Sequence, residues 1–377
     1  MKNFRGSLEK KIIRSRQNSF GVENYDTHRF NSYPAQQKPQ STDNIAPISF
    51  KGILKIYAKK ALGYESKQFV NRKMGRLSNY LDKLQFLWEH LNENGKQLMV
   101  DIIAYRLLGY QKVKLPTNNP QYWKALEKVA DLKNVNDTYD PHFMHFILNK
   151  FDLNEIGYNI KLYFTEVGIA IDYIIEQYAY KLKDEYVVSV KEGDVVLDIG
   201  ACWGDTALYF ADKTGETGKV YSFEFIPDNI KLFQKNIALN PSHLNRIELI
   251  EHPVSNKTGD DIFFIDKGPG SKIETTPMKG QTGSTTTIAV DDFVKSKNLS
   301  RVDFIKMDIE GAEARALEGA IETIKKYKPK LAIAIYHSID DFVDIPIWIE
   351  GLNLGYKLYI GHYTIHAEET IIFASCS

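Results

Sequence analysis

The C-terminal half of this sequence predicts a doubly wound α/β domain, and the segment before it predicts a mainly helical N-terminal domain. After Gly193, short runs rich in β-branched residues alternate with amphipathic stretches, the pattern of parallel strands joined by helices. Between about residues 52 and 183, apolar residues recur at spacings of three and four, as on one face of a helix. We therefore place the boundary of the α/β domain, residues 184–377, after residue 183.

The composition limits the possible classes of function. The chain has 377 residues, enough for one large domain and a smaller one, and its 48 Lys and Arg residues balance 48 Asp and Glu residues. Because there is no excess of positive charge, nucleic acid is not an expected partner. Two cysteines provide neither a disulfide framework nor a closed cysteine-based zinc site. The apolar runs are too short for a transmembrane segment and the N-terminus lacks a signal-peptide pattern, so we expect a cytoplasmic protein.

Residues 1–46 are rich in Asn, Gln, Ser, Arg and Lys, and two prolines interrupt any regular pattern. Such a segment buries too little apolar surface to offset its ordering entropy, which predicts a disordered tail. The alternative is a weakly basic helix around Ile12 and Ile13 that contacts a membrane or a partner. The helical domain follows over residues 47–183, and no sequence motif in it indicates a chemical function.

Helical periodicity is clearest in the middle of this N-terminal domain. Its main apolar stripe consists of Leu77, Tyr80, Leu81, Leu84, Leu87 and Leu91. Similar stripes run through residues 97–108, 121–131 and 168–182.

Seven strands are expected in the α/β domain: Val195–Ile199, Val220–Phe223, Ile247–Ile250, Val302–Met307, Leu331–Tyr336, Tyr356–Ile360 and Thr370–Phe373. Helices are expected from about residues 205, 227, 311 and 341. Helical connections give right-handed crossovers and a mainly parallel sheet, while the short connection 361–369 makes the last two strands an antiparallel hairpin. Ligands of such sheets bind at the carboxyl ends of the strands.

The first strand ends at Asp198-Ile199-Gly200 and continues as Ala201-Cys202-Trp203-Gly204. Gly200 allows a sharp turn, and Gly204 lets the next helix begin close to a ligand. This Gly-x-x-x-Gly spacing differs from the Gly-x-Gly-x-x-Gly loop that binds a dinucleotide pyrophosphate. A Trp in the loop would crowd a diphosphate, so the loop favours a nucleoside ligand without phosphate.

The second strand ends at Glu224, 20 residues beyond Gly204. An acidic side chain at this position accepts hydrogen bonds from both ribose hydroxyls of a bound nucleoside. The alternative is that Asp198 and Glu224 only cap nearby helix starts. The two carboxylates together, each after a hydrophobic strand, favour adenosine binding.

The fourth strand leads into an acidic block, Lys306-Met307-Asp308-Ile309-Glu310-Gly311-Ala312-Glu313. Lys306 and Asp308 share one face of the strand because side chains alternate along it. The positive end of a helix dipole explains acids at a helix start, and we interpret Glu313 in this way. Asp308 lies at the cleft itself, where we expect a functional role.

With this block, the sequence resembles the FkbM-type methyltransferases. The resemblance rests on Asp198-x-Gly-Ala-x-x-Gly-Asp205, on Glu224, on residues 304–313 and on Leu317-Glu318-Gly319-Ala320, and it extends over about residues 180–374. It implies a Rossmann-like class I methyltransferase sheet and an S-adenosylmethionine-dependent enzyme that O-methylates sugar or polyketide hydroxyls. Cys202-Trp203 replace the Asn that the family commonly has after its Gly-Ala pair.

The resemblance also implies roles for individual residues. Asp198, Gly200 and Gly204 line the methionine part of the cofactor, with Ala201 in the same loop, and Glu224 holds the ribose. Val254, in the turn 252–255 after the third strand, approaches the adenine. The helical domain has no counterpart in the minimal family domain, so we expect it to shape the site of a small-molecule or glycan acceptor.

Methyl transfer also needs a group that takes the proton of the acceptor hydroxyl. His337 follows the fifth strand at the sheet edge of Asp308, and imidazole titrates near neutrality, so His337 is the predicted base. Alternatively, Asp308, His337 and either His362 or His366 hold a divalent metal. We do not favour a metal, because no two of these residues share a helix face. Residues 268–287, rich in Gly, Ser and Thr, form either a lid over the acceptor or an ordinary hairpin.

Two other classes of function are weighed against this one. A nicotinamide-dependent oxidoreductase needs a pyrophosphate turn that the sequence lacks. A non-catalytic binding module would retain the methyltransferase-like fold and use the helical domain as its interaction surface. The complete set of Asp198, Glu224 and Asp308 favours an enzyme.

Overall fold

The computed structural model describes residues 3–31, 33 and 64–376. The remainder of the predicted tail, 34–46, and the predicted start of the helical domain, 47–63, lie outside the described residues. The chain forms two compact units. The first comprises Met1–Glu89, Lys96–Pro116 and Ile365–Ala367, and the second comprises His90–Gly95, Thr117–Thr364 and Glu368–Ser377.

The first part of the chain is helical. Its helices are α1 (Phe4–Ser15), α2 (Thr27–Phe30), α3 (Tyr64–Met74), α4 (Leu81–His90) and α5 (Glu93–Leu108), with a 3-10 helix at Gly75–Tyr80 between α3 and α4. Leu77, Leu84, Leu87 and Leu91 of the predicted stripe are buried. None of the helices in the described ranges is long and apolar enough to cross a membrane.

The structure corrects the prediction of a disordered tail for residues 3–31. Asn3 caps α1 by accepting a hydrogen bond from the backbone N–H of Gly6. Phe4, Leu8 and Ile12 recur every four residues and are wholly buried. This short apolar stripe, within an otherwise polar segment, buries enough surface to order the helix.

A seven-stranded sheet forms the core of the second unit. Its strands are β6 (Val195–Ile199), β7 (Lys219–Phe223), β8 (Ile247–Ile250), β12 (Phe304–Met307), β13 (Lys330–Ala334), β14 (Tyr356–His362) and β15 (Thr370–Cys376). The order is β14-β15-β13-β12-β6-β7-β8. The pairs of β15 with β14 and β13 are antiparallel, and the other pairs are parallel. The strand order reverses between β6 and β12. This confirms the predicted doubly wound, Rossmann-like sheet with a C-terminal antiparallel hairpin.

The second unit also contains eight α-helices within the described residues, and the last six of them lie between strands of this sheet. The eight are α6 (Pro120–Ala130), α7 (Glu166–Ile169), α8 (Asp205–Lys213), α9 (Pro227–Ala238), α10 (Val290–Ser296), α11 (Glu313–Glu318), α12 (Ile321–Tyr327) and α13 (Ile339–Gly351). Pro227 occupies the first turn of α9, and Ser338 caps α13 by accepting from the N–H of Asp341. The helices α8, α9, α11 and α13 begin within two residues of the predicted positions.

Residues 131–183, expected to belong to the helical domain, contain strands instead. The strands β1 (Lys133–Tyr139), β2 (Leu148–Asp152) and β3 (Lys161–Phe164) form an antiparallel sheet, and β4 (Tyr180–Leu182) pairs with β5 (Glu185–Val188). They are short, and β1 is largely exposed, so no apolar period of two marks them in the sequence. Because this segment belongs to the second unit, the structure divides the chain near residue 117 and not at 184.

The segment 268–287 lies within a second small sheet. Its strands β9 (Asp261–Ile265), β10 (Lys272–Glu274) and β11 (Gly283–Thr286) are ordered β10-β9-β11, and both pairs are antiparallel. Of the two alternatives for this segment, the structure has the hairpin excursion.

Candidate active site

The loop between β6 and α8 is built on two glycines. Gly200 and Gly204 have φ angles of 86° and 84°, in the left-handed region that favours glycine. A Cβ atom on Gly200 would lie 1.9 Å from the carbonyl oxygen of Asp308, and one on Gly204 would lie 3.0 Å from the ring of Phe233. The N–H groups of Gly200 and Ala201 both donate to the carbonyl oxygen of Phe223. The loop is thus held against the ends of β7 and β12.

Asp198 supports this loop from below. Its carboxylate is wholly buried and accepts hydrogen bonds from the hydroxyls of Thr206 (3.0 Å) and Ser222 (3.2 Å). The ammonium of Lys306 lies 3.4 Å from Asp198 and donates to the carbonyl oxygen of Gly200 at 2.5 Å. The side chain of Asp198 therefore helps to position the loop, and its place beside the methionine part of the cofactor stays a prediction.

Lys306 places a positive charge beneath the glycine loop. Burial lowers its pKa, but the negative charges of Asp198, Asp308 and Asp205 outweigh this effect and raise the pKa above its ordinary value. The ammonium also lies 5.4 Å from the centre of the Tyr178 ring. Lys306 therefore stays cationic.

Glu224 follows β7 and is almost wholly buried. One carboxylate oxygen accepts from the N–H groups of Phe225 (2.7 Å) and Ile226 (2.8 Å), and the other accepts from the side-chain amide of Asn229 (3.1 Å). Burial raises the pKa of Glu224 to about 7 in spite of these hydrogen bonds. The two N–H groups belong to the turn before α9, and α9 has no side-chain cap, so the structure does not show the capping role that the sequence left open. Oε2, with one protein donor, retains room for a second.

Trp203, which was expected to crowd a diphosphate in the glycine loop, is buried in a cluster of apolar side chains. Its indole is 5% exposed and packs with Leu148, Tyr163 and Leu232, while Nε1 donates to Asn229 Oδ1 at 3.1 Å. The ring joins the glycine loop to the β1–β3 sheet. The buried indole therefore does not indicate whether the loop could bind a diphosphate. Only the Gly-x-x-x-Gly spacing still disfavours a dinucleotide.

Asp308 follows β12 at the same edge of the sheet. Its carboxylate accepts hydrogen bonds from the hydroxyls of Tyr336 (3.1 Å) and Tyr178 (3.2 Å). Burial raises the pKa of both tyrosines well above the ordinary value, so they remain protonated donors. Two donors hold Asp308 in one orientation.

His337 lies among three carboxylates. Its Nε2 is 3.5 Å from Asp308 Oδ1 and 3.5 Å from Glu310 Oε2, and its Nδ1 is 3.3 Å from Glu313 Oε1. Burial lowers the pKa of His337, but Glu313, Asp308 and Glu310 together raise it to about 9. The imidazole by itself is therefore protonated at neutral pH.

Glu313 is wholly buried at the start of α11. Its Oε1 accepts a hydrogen bond from the N–H of Ile309 at 2.7 Å and so closes the turn that follows β12. This agrees with the interpretation of Glu313 as a helix-start acid, although it also lies against His337.

The segment 166–178 supplies several of these contacts. The sequence did not predict that it belongs to the site. A π-helical turn at Ala170–Ile174 follows α7, and such turns are frequent at functional sites. Beyond it, Gln177 donates to Glu369 at 2.6 Å and Tyr178 donates to Asp308, which is 130 residues away in the chain. Nothing local in the sequence marks these pairs.

Asp172 and Asp205 form a buried acid pair beside the glycine loop. Burial raises the pKa of both carboxyls, that of Asp205 to about 6. Burial also raises the pKa of Glu369, to about 8. The site therefore holds more acids than its one buried lysine neutralises, and some of them retain protons at neutral pH.

The remaining predicted residues have contacts of their own. Val254 is buried and forms a parallel bridge with Ile288. His362 Nδ1 lies 2.8 Å from Thr370 Oγ1, and His366, in the first unit, lies 3.4 Å from Asp26. Neither histidine joins Asp308 and His337 in the alternative metal set. In the described part of the chain, the residue that does so is Glu313.

Comparisons with known proteins provide further findings. Residues 198–358 match the family model of the Methyltransferase FkbM domain. Among curated proteins, the chain is 35% identical over 82 residues to the ribosomal RNA large subunit methyltransferase E of Lawsonia intracellularis (strain PHE/MN1-00). That match covers 20% of this chain, which thus spans about two fifths (41%) of the length of the relative.

The chain also resembles solved structures of other proteins. The chain is similar to the methyltransferase FkbM from Methylobacillus flagellatus KT, with 17% identity, a TM-score of 0.49 and coverage of 80% of this chain and 60% of that chain. It is also similar to Aeropyrum pernix fibrillarin in complex with natively bound S-adenosyl-L-methionine, with 14% identity, a TM-score of 0.32 and coverage of 60% and 93%.

Proposed function

We propose that this protein transfers the methyl group of S-adenosylmethionine to an acceptor hydroxyl, that of a sugar in a glycan or a glycosylated natural product. The match of residues 198–358 to the family model of the Methyltransferase FkbM domain supports methyl transfer. The observation that carries the proposal is the arrangement of three strand ends. The glycine loop after β6, Glu224 after β7 and Asp308 after β12 meet at one edge of the sheet, where the strand order reverses.

The residues at this edge fit the cofactor. The glycine loop turns sharply at this edge, because Gly200 and Gly204 adopt left-handed φ angles that favour glycine. Glu224 Oε2 has room to accept a hydrogen bond from a ribose hydroxyl. Lys306 and the acids around it place charges of both signs near a cofactor that itself carries a sulfonium, an ammonium and a carboxylate.

When bound, S-adenosylmethionine supplies a methyl group on a positively charged sulfur. The protein's own residues bind and orient the acceptor: Asp308, fixed by Tyr178 and Tyr336, accepts a hydrogen bond from the hydroxyl and aims its oxygen. The hydroxyl must lose its proton as its oxygen bonds to the methyl carbon. His337 adjoins Asp308, but its pKa of about 9 means that as a free imidazole it accepts this proton efficiently only in alkaline solution.

The sugar acceptor is supported by the family resemblance alone. It can be tested directly by following the transfer of labelled methyl groups. Isotope-labelled S-adenosylmethionine is incubated with the full chain and a glycan fraction, and with the same fraction after its hydroxyls have been acetylated. We expect labelled methyl in the first fraction and none in the second. Label in nucleic acid or protein, with none in glycan, would refute the sugar acceptor.

Cofactor choice is tested by calorimetric titration of the full chain with S-adenosylmethionine and with NADH. We expect binding of S-adenosylmethionine alone. Binding of NADH alone would favour an oxidoreductase, and binding of neither would favour the non-catalytic binding module.

A further inference from the structure

Three side chains with metal-binding atoms converge beside the proposed acceptor position. Asp308 comes from the end of β12, Glu313 from the first turn of α11 and His337 from the turn between β13 and α13. One ligand atom from each lies within 4.8 Å of the others. We call these residues the Asp308–Glu313–His337 cluster.

A second observation is that several buried polar atoms of the cluster have no hydrogen-bond partner within the described chain. The His337 side chain is nine-tenths buried, yet within the described chain neither of its ring nitrogens makes a hydrogen bond, although both face carboxylates at 3.3–3.5 Å. The same holds for Oε2 of the wholly buried Glu313. Buried polar atoms without hydrogen bonds are costly, and they are expected where a bound ion completes the site.

From this geometry we propose that the Asp308–Glu313–His337 cluster binds one divalent metal ion, with Mn²⁺ as the best match. In octahedral coordination at about 2.1 Å, adjacent ligand atoms lie about 3.0 Å apart. One ligand atom from each residue lies within 4.8 Å of the others, so the side chains would move closer together by up to about 2 Å when the ion binds. Carboxylate oxygens favour Mg²⁺ and Mn²⁺, whereas imidazole favours transition metals, and Mn²⁺ accepts both. Glu310, whose carboxylate lies 3.5 Å from His337, adds negative charge at the exposed side.

The consequence for catalysis rests on the proposed function. Three protein ligands leave coordination positions open, and an acceptor hydroxyl bound there becomes more acidic. Its proton leaves to solvent water, its oxygen forms a bond to the methyl carbon, and the carbon–sulfur bond breaks with its electron pair remaining on sulfur. No net oxidation or reduction occurs.

The test measures Mn²⁺ binding directly, by electron paramagnetic resonance on the full chain after removal of metals with a chelator. We expect one bound Mn²⁺ per chain and at least about tenfold weaker binding in Glu313→Gln and in His337→Gln. Glu318→Gln is the matched control, since Glu318 is exposed on the same helix α11 and should bind Mn²⁺ as the unaltered protein does.

Calorimetric binding of S-adenosylmethionine to each variant serves as the check on folding and separates the two proposals. Absence of a stoichiometric Mn²⁺ site, or equal binding by both cluster variants that still bind the cofactor, would overturn the metal site. Mn²⁺ binding that depends on the cluster, in a protein that binds no S-adenosylmethionine, would leave the metal site standing and refute the proposed function.

Discussion

The carbonyl oxygen of Asp308 occupies the space in which a side chain on Gly200 would have to lie, since a Cβ atom there would approach it to 1.9 Å. The loop proposed to bind the cofactor and the strand end proposed to bind the acceptor are therefore in backbone contact. This contact requires glycine at position 200 for reasons of space as well as of φ.

Gly200→Ala should therefore destabilise the protein by at least about 3 kcal/mol, because both the left-handed φ and the clash with a backbone carbonyl oppose it. Gly355→Ala is the matched control: Gly355 has a φ of 82°, but nothing lies within 4 Å of its Cβ position. We expect a loss of about 1 kcal/mol there, from the backbone conformation alone. Denaturant unfolding measures both, and equal losses would contradict the clash.

Glu224→Ala should weaken S-adenosylmethionine binding at least tenfold, or about 1.4 kcal/mol, because it removes a charge-assisted hydrogen bond to the ribose. Glu248→Ala, on the neighbouring strand β8, removes a half-exposed carboxylate that pairs with Lys297 and should leave the affinity unchanged. Calorimetric titration compares the two variants. Unchanged affinity in Glu224→Ala would show that this carboxylate only holds the turn before α9.

Glu224 also predicts a pH dependence of stability. Its pKa rises from 4.5 in the unfolded chain to about 7 in the folded protein, so the folded state favours the protonated form. The stability it contributes is fully present below pH 4.5 and is lost as the pH rises through 7. At pH 8 the buried carboxylate costs up to about 3 kcal/mol relative to acid solution.

Glu224→Gln removes this titration. The free energy of unfolding of the variant, relative to the unaltered protein, should therefore increase by up to about 3 kcal/mol between pH 4.5 and pH 8. Denaturant unfolding at several pH values measures the difference. A difference that is the same at both ends of this range would show that burial does not shift the pKa.

His337→Ala should lower the rate of methyl transfer to the glycan fraction by at least about 100-fold, while leaving the affinity for S-adenosylmethionine near normal. The reason is that the charged neighbours of His337 are Asp308, Glu310 and Glu313, at the proposed acceptor side. His142→Ala, which alters an exposed histidine, is the control. An unchanged rate would exclude His337 from hydroxyl activation, whether as a base or as a metal ligand.

The sequence by itself determined the strands of the central sheet and most of the residues that line the proposed site. The strands β6 and β8 have the predicted bounds, and Glu224, Asp308 and His337 follow strand ends as expected. This worked because a buried strand is a local run of β-branched residues, and because the carboxyl ends of neighbouring parallel strands meet at one edge.

Only the tertiary structure decided which partners these residues have. The hydrogen bond from Tyr178 to Asp308, the position of Glu313 against His337 and the burial of Trp203 in a cluster with Leu148 all join residues from separate elements. Such contacts depend on the path of the chain between the elements, including a small sheet with no clear apolar period. Local patterns along the sequence describe single elements, and pairings between distant elements become visible only when the chain is folded.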